Sequence, residues 1–308
     1  MIKIKFISSV ENFETWFKES IRSIHPNEFK DNVRKLDAVL KKYEIKYCFD
    51  EIITLKYDNL VNIKDKILKN QDLTSEINKL KYKANDKYSF LVTQYKDFRQ
   101  KYGKEYIQRI GITVCPYCNR NFINNGKDRA MMQIDHFFNK DDFPLFAVSL
   151  YNLIPCCYSC NHTKHKYTIN YSPYDCNFKT DEMLTFDFIL KELNDYEIII
   201  KSSDKIFDRF GKKVMNPIIK NIQVLQLNEQ YNIHIDLLKQ ILFKVQKMPK
   251  AYLDELSNLL KHSIDFDLGM NEEELFYDNY LSEAKYHLRP LSKFTHDIVK
   301  NIKEEYYQ

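Results

Sequence analysis

The 308-residue chain carries 47 Lys and Arg against 43 Asp and Glu, and it contains only five glycines. Average usage would give roughly 20 glycines, and no two of the five lie closer than eight residues (111 − 103). A Walker loop and a dinucleotide fingerprint both need closely spaced glycines, so the common nucleotide-binding loops are excluded.

The distribution of charge and the number of cysteines further restrict the class of protein to which the chain can belong. The first 180 residues carry 30 Lys and Arg against 21 Asp and Glu, and the remainder carries 17 against 22. The net positive charge of the first 180 residues favours binding to a polyanionic partner. No apolar run reaches the ~18 residues of a membrane helix, and the start lacks a secretory signal. We therefore expect a soluble, cytoplasmic protein. Its seven cysteines are too few and too clustered for a disulfide scaffold, and their clustering favours metal binding.

Residues 2–6 alternate in polarity and predict a short strand. Apolar residues at helical spacing then predict four helices, which run from Phe13 to about 25, from Phe29 to Leu40, from Ile52 to Ile67, and from Thr74 through Phe98. Gly111 closes this helical region.

Residues 112–168 predict short strands around tight turns, including one at Asn124-Asn125-Gly126. Two further strands are expected at 184–189 and 196–201. Helical spacing returns after them and predicts helices near 217–227, 229–246, 249–262, 272–287 and 291–305. The fold class is thus mainly α (α+β), with a helical N-terminal region at 1–111, a central segment at 112–175, and a small β-hairpin plus helical C-terminal region at 176–308.

Two Cys-x-x-Cys pairs bound the central segment. The pairs are Cys115/Cys118 and Cys157/Cys160, with 38 residues between them (157 − 118 − 1). Two residues between thiolates let each pair offer both sulfurs to one ion, and two such pairs complete a tetrahedral zinc site. The site has no open position, so the zinc is predicted to be structural.

Polar residues between and after these pairs have the chemistry of phosphodiester hydrolysis. Asp135 offers a hard oxygen ligand, and His136 offers an imidazole that titrates near neutral pH. The carbonyl oxygen of Asn161 is expected to share a magnesium ion with Asp135. Lys164 follows one turn later on the same helix face and is expected to hold a phosphate.

The pattern Asp-His, then Asn-Leu, then Cys-x-x-Cys-Asn-x-x-Lys resembles the HNH endonuclease motif of the ββα-metal fold. The form it resembles is stabilised by zinc on four cysteines and has Asn161 at the last motif position. The resemblance covers roughly residues 112–175. One departure is Asn139, where a proline commonly precedes the lysine, here Lys140. The long helical flanks also resemble HNH effectors of ATPase-linked bacterial anti-phage defence systems of the Septu kind.

The resemblance implies a role for each motif residue. His136 would be the general base, and Asp135 and Asn161 would bind catalytic Mg²⁺ or Mn²⁺. Asn152 would orient the loop and the His136 ring. The structural Zn²⁺ would be bound by Cys115, Cys118, Cys157 and Cys160.

These residues predict a metal-dependent HNH endonuclease, with DNA as the expected substrate and an ATPase as the expected partner in defence. Candidate contacts to nucleic acid are Arg120, Lys127, Arg129, Lys140 and Lys164. The alternative is a non-catalytic subunit, stapled by zinc, that binds nucleic acid or docks on a partner.

Overall fold

A computed structural model describes residues 1–4, 10–124, 126, 132–175, 179–193, 195–202, 205–207, 213–216, 218–247, 255, 258 and 270–306. Lys127, Arg129, Asn125 and nearly all of the helix expected at 249–262 lie outside these residues. The expected strand at 2–6 is described only through Ile4, where no strand forms. Among the residues described, no helix is both long and apolar enough to cross a membrane.

The chain divides into two compact units. The first unit comprises Ile4–Ile112 and Ile123–Asp175. The second comprises Met1–Lys3, Thr113–Phe122 and Cys176–Gln308. The sequence predicts a different division, into segments 1–111, 112–175 and 176–308, which is based on sequence motifs. That division stays a prediction.

Six helices build the N-terminal part of the first unit: α1 (Val10–Arg22), α2 (Pro26–Lys42), α3 (Phe49–Ile52), α4 (Tyr57–Lys69), α5 (Gln71–Lys79) and α6 (Phe90–Ile110). Phe13 and Phe17 of α1 lie one turn apart and pack against Tyr106 of α6, with ring centroids 5.8 and 5.9 Å away. Burial of such apolar stripes is what stabilises these helices.

Two of the predicted helices are interrupted. The predicted helix at 52–67 is split between α3 and α4, because the carbonyl of Ile53 accepts a hydrogen bond from Leu150 N at 2.8 Å. The predicted helix that begins at Thr74 stops at α5 and resumes at α6. In the gap, the carboxylate of Asp86 accepts from Lys83 N at 2.9 Å, which stabilises a turn in place of a helix.

The end of α6 confirms the predicted closure at Gly111. This residue has φ 73°, and its N–H donates to Ile107 O at 3.1 Å. A left-handed residue after the last helical turn is favourable for glycine, which has no Cβ to clash.

The first unit ends in a two-stranded antiparallel sheet and one helix: β1 (Gln133–His136), β2 (Leu153–Cys156) and α7 (Tyr158–Lys164). Short strands in this segment were expected. The connection between the strands contains two 3₁₀ turns, at Pro144–Phe146 and Leu150–Asn152. Helix α7 contacts β1.

The second unit contains two further antiparallel pairs among its described residues. The strands are β3 (Thr185–Glu192) with β4 (Asp195–Lys201), which confirm the predicted hairpin, and β5 (Lys205–Phe207) with β6 (Lys213–Met215), which the sequence did not predict. Its helices are α8 (Thr180–Met183), α9 (Ile218–Val224), α10 (Leu227–Tyr231), α11 (Ile235–Lys247), a short helix at Glu272–Phe276 and the C-terminal helix at Ser292–Tyr306.

The C-terminal helix packs on β3. The rings of Phe186 and Phe294 lie 5.6 Å apart, and Asp297 accepts a hydrogen bond from Phe186 N at 2.9 Å. Only the first five residues of the helix predicted at 272–287 are helical, with a 3₁₀ turn at Glu283–Lys285. The described part of the chain is thus mainly helical with a small β content, which confirms the α+β class.

Candidate functional site

The Asp-His pair lies at the end of β1, in a hairpin whose two strands are almost wholly buried. Asp135 is paired with Ile154 across the hairpin, and His136 with Leu153. Both side chains are buried, with exposed fractions of 6% and 8%. A two-stranded sheet is marginally stable by itself, so the rest of the first unit must support it.

Three buried tyrosines support the outer edges of this hairpin. Tyr95 of α6 donates to Ile134 O on β1 at 3.0 Å. Tyr106 and Tyr174 both donate to Leu153 O on β2, at 2.8 and 3.1 Å. Because an unsatisfied buried carbonyl is costly, these hydroxyls stabilise both strands. The sequence predicts that Tyr95 lies on a helix but does not predict its hydrogen bond to Ile134.

The imidazole of His136 is fixed on two sides. Its Nε2 lies 3.0 Å from Ala147 O, and its ring packs edge-on against Tyr95 with centroids 4.2 Å apart. A carbonyl only accepts, so Nε2 carries the proton and Nδ1 keeps its lone pair when the ring is neutral. Burial, with a contribution from the Lys140 ammonium, lowers the pKa of His136 from 6.5 to about 3. The ring is therefore neutral at physiological pH, and the expectation from the sequence that it titrates near neutral pH is wrong, because burial disfavours the charged form.

Asn152 holds the loop that follows His136. Its Oδ1 accepts from Phe138 N at 2.7 Å, and its Nδ2 donates to Phe138 O at 3.2 Å and to Phe146 O at 3.0 Å. Phe146 directly precedes Ala147, whose carbonyl receives the His136 ring. The fully buried amide thus fixes both ends of the segment that carries the partner of His136.

The ammonium of Lys164 lies on the carboxylate of Asp135. Its distances to the two carboxylate oxygens are 3.2 and 3.0 Å, and it also donates to His136 O at 3.1 Å. Its side chain is 1% exposed. Lys164 therefore compensates a buried charge in this structure, and its expected contact with a phosphate stays a prediction.

Asn161 and Lys140 are both half-buried. Asn161 lies three residues before Lys164 on α7, so the two side chains share a helix face. Its amide makes no hydrogen bond within the part of the chain that the structure describes. The helix that carries Asn161 contacts the strand that carries Asp135, as the motif requires, but the structure does not show the two side chains in contact.

Four buried cysteines come together as predicted. Their sulfur atoms all lie within 4.8 Å of one another. A zinc–sulfur bond of ~2.3 Å places tetrahedral ligands roughly 3.8 Å apart, so the cluster has the dimensions and the ligand chemistry of a metal site such as zinc. Its members are Cys115, Cys118, Cys157 and Cys160.

In each Cys-x-x-Cys pair the backbone forms a turn in which a cysteine sulfur accepts a hydrogen bond from a backbone N–H. Cys118 Sγ accepts from Arg120 N at 3.4 Å, and Cys157 Sγ accepts from Cys160 N at 3.5 Å. Asn119 follows the first pair with φ 51°, a left-handed conformation that asparagine tolerates better than most residues. The asparagine itself is the sequence signal for this turn, whereas Asn161, which follows the second pair, lies within helix α7.

Asn119 also ties the first pair to the rest of the second unit. It is fully buried, its Nδ2 donates to Tyr286 O at 2.8 Å, and its Oδ1 accepts from Lys293 N at 3.0 Å. Arg120 donates to Gln230 Oε1 at 2.8 Å and is half-buried. Its contact with nucleic acid stays a prediction.

A second group of potential ligands comprises Asp181, His296 and Asp297. The ammonium of Lys293 lies 2.9 Å from Asp181 and 2.6 Å from Asp297. Because this buried lysine already contacts both carboxylates and His296 Nδ1 lies 3.0 Å from Asp297, the group has the character of a structural ion-pair network.

The chain matches no protein-family model, no curated protein and no solved structure. Inferences about its function therefore depend on the motif and on the geometry described above.

Proposed function

We propose that the chain is a metal-dependent HNH endonuclease that hydrolyses phosphodiester bonds of nucleic acid, with DNA as the expected substrate. The observation that carries the proposal is the position of the His136 ring. Its Nε2 lies 3.0 Å from Ala147 O, which leaves Nδ1 as the proton acceptor, and this is the geometric requirement for a general base. Burial lowers the pKa of the imidazole, so that Nδ1 is unprotonated at neutral pH but is a weak base.

In the proposed reaction, His136 Nδ1 takes a proton from water as the water oxygen attacks phosphorus. The P–O bond to the 3′ oxygen breaks, the leaving oxygen takes a proton from solvent water, and His136 releases its proton to solvent, so that the products carry a 5′-phosphate and a 3′-hydroxyl. Asn152 contributes by fixing the loop that ends at Ala147, and Tyr95 contributes by limiting rotation of the ring. Both act on the position of His136 rather than on the substrate.

The candidate magnesium ligands fit that ion chemically. Asp135 supplies a carboxylate and Asn161 supplies an amide oxygen, and hard oxygen ligands are what Mg²⁺ prefers. When bound, Mg²⁺ or Mn²⁺ would stabilise the charge that develops on the phosphate and on the leaving oxygen. Asp135 would have to share its carboxylate between the metal and Lys164, or exchange one for the other.

We also propose that the four-cysteine cluster holds structural zinc. All four thiols are buried, and a closed tetrahedral set leaves no position for a substrate. Metal-driven folding of small zinc modules amounts to roughly 10–16 kcal/mol, which is enough to order the short strands and turns between the two cysteine pairs.

One observation favours a second candidate, a non-catalytic subunit that is stapled by zinc and binds nucleic acid or a partner. The Asp135 carboxylate already has a cation in Lys164, as expected of a structural ion pair.

The ATPase-linked defence role depends on the sequence resemblance alone and stays part of the proposal.

A cleavage panel separates the two candidates. Zinc-replete parent protein is incubated with Mg²⁺ or Mn²⁺ and plasmid, linear duplex, single-stranded DNA or RNA, beside His136→Ala and the control His25→Asn. His25 is half-exposed and has φ 48°, which asparagine accommodates. We expect His136→Ala to lose about 100-fold or more of the rate, as for removal of a general base, and His25→Asn to cut like the parent.

Equal cutting by His136→Ala and the parent would refute the assignment of the base. A folded parent protein that cuts none of the substrates would favour the non-catalytic candidate. Thermal melts of all three proteins establish that each chain is folded at the assay temperature, which matters because His136→Ala removes a buried ring that packs against Tyr95.

A further inference from the structure

The outward face of α7 carries two aromatic rings. Tyr158 is 67% exposed and His162, four residues later, is also exposed. Their rings lie 5.7 Å apart at an interplanar angle of 11°. Residues at this spacing are neighbours on a helix surface, so the two rings form a small stacked surface, here called the Tyr158–His162 platform.

The platform lies on the helix that carries the proposed metal ligand. Cys160 and Lys164 are buried on the inward face of α7, and Asn161 is half-buried between the two faces. At a rise of ~1.5 Å per residue, Tyr158 is about 4.5 Å along the helix axis from Asn161, and His162 is its immediate neighbour. A nucleotide whose phosphate reaches Asn161 therefore has its base within reach of the platform.

The charge around the platform suits a polyanion. No aspartate or glutamate occurs between residues 143 and 174. The exposed residues His165 and Lys166 lie three and four residues after His162, and Tyr167 next to them is 60% exposed. A segment with exposed aromatic rings, basic side chains and no carboxylate of its own has the composition of sites that bind single-stranded nucleic acid.

We propose that the Tyr158–His162 platform stacks an unpaired base of the substrate beside the scissile phosphate, so that the enzyme prefers single-stranded or locally unpaired nucleic acid. This inference rests on the proposed nuclease function. Every base has a π face, so stacking on an aromatic ring tolerates any sequence. In a duplex both faces of each base are covered by its neighbours, and the platform then has nothing to stack on.

Binding is measured in the His136→Ala background, without added Mg²⁺ or Mn²⁺, so that cleavage does not interfere. The probes are a labelled single-stranded oligothymidylate and a blunt duplex of the same length. The variants are Tyr158→Ala, Tyr158→Phe and His162→Ala, with Phe243→Ala as the control. Phe243 is an aromatic residue on α11 with a similar exposed fraction, 62%.

We expect Tyr158→Ala to weaken single-strand binding roughly 5- to 150-fold, the range for one base–aromatic stack, and to change duplex binding less than about 2-fold. Tyr158→Phe keeps the ring and should bind like the parent, and so should Phe243→Ala. His162→Ala should weaken single-strand binding in the same direction. A 2-aminopurine base in the single strand should lose fluorescence on binding to the parent and lose less on binding to Tyr158→Ala.

The inference is overturned if the parent binds the single strand no better than the duplex, or if Tyr158→Ala weakens both equally or neither. It is also overturned if Tyr158→Phe is as weak as Tyr158→Ala, because the hydroxyl rather than the ring would then be responsible. Failure of the proposed function shows separately, as cutting by His136→Ala or no cutting by the parent. If cleavage depends on His136 but the Tyr158 variants do not weaken single-strand binding as expected, this inference alone is refuted and the proposed function stands.

Discussion

The buried pair of Asp135 and Lys164 makes a prediction about stability that does not depend on any activity. Replacing Lys164 by Met keeps most of the volume of the side chain but removes the ammonium from a carboxylate that is 6% exposed. Replacing Asp135 by Asn keeps the shape and removes the negative charge instead. The double variant removes both charges together.

The size of the effect follows from the geometry. At an effective dielectric constant of about 20, unit charges 3.0 Å apart attract by roughly 5 kcal/mol. Removing one partner of a buried pair typically costs about 3–5 kcal/mol, because the other charge stays buried without compensation. We therefore expect Lys164→Met to lose about 3–5 kcal/mol of unfolding free energy. The double variant should be more stable than Lys164→Met by at least about 1 kcal/mol, since contacting residues are coupled.

Urea denaturation measures these differences, and Trp16, the single tryptophan, lies in the same unit and reports on its unfolding. Arg34→Met is the control, because Arg34 lies in the same unit and forms an exposed pair with Asp31, and such pairs contribute little. A cost below about 1 kcal/mol for Lys164→Met, or strictly additive single variants, would refute the buried-pair reasoning.

Two further predictions concern the metal cluster and pH. Cys118→Ser should lose the zinc that the purified parent carries. Cys48→Ser should keep it, because Cys48 lies outside the cluster and is exposed. The zinc content of both purified proteins is measured, and a fully loaded Cys118→Ser would contradict the four-cysteine site. For His136, the unfolded pKa of 6.5 exceeds the folded value of about 3, so below pH 6.5 only the unfolded state binds the proton. The stability of the parent relative to His136→Gln should therefore be constant above pH 6.5 and fall by about 1.4 kcal/mol per pH unit as pH decreases from 6.5 towards 3. Parallel pH dependence of the two proteins would show that the folded state does not depress this pKa.

The parts of the site that depend on short-range spacing could be predicted from the sequence. Two residues between cysteines determine how each pair turns, and four thiols that prefer one ion leave few arrangements open. The hairpin at 185–201 was likewise predicted, because alternation and a short connection are local signals. The class of fold follows from the same periodicities.

The supporting interactions could not be predicted, because they join residues that are distant in sequence. Nothing local indicates that Tyr106 will donate to Leu153 O, 47 positions away, or that Lys164 will turn inward to Asp135. The interruptions of the predicted helices could not be predicted for the same reason. The break after α3 reflects a hydrogen bond from Leu150 to Ile53, a tertiary contact that overrides helical spacing.

The scarcity of glycine explains why the site depends on so many side-chain hydrogen bonds. No glycine occurs between Gly126 and Gly211, so the loop after His136 cannot use conformations that only glycine adopts easily. Its shape is maintained by the amide of Asn152, which makes three hydrogen bonds to backbone atoms of Phe138 and Phe146. A loop fixed by side chains has lost its conformational freedom before any ligand binds, which reduces the entropy that substrate binding must overcome. The same rigidity means that an exposed surface such as α7 must accept a base in the geometry it already has, and an unpaired base is flexible enough to adapt to it.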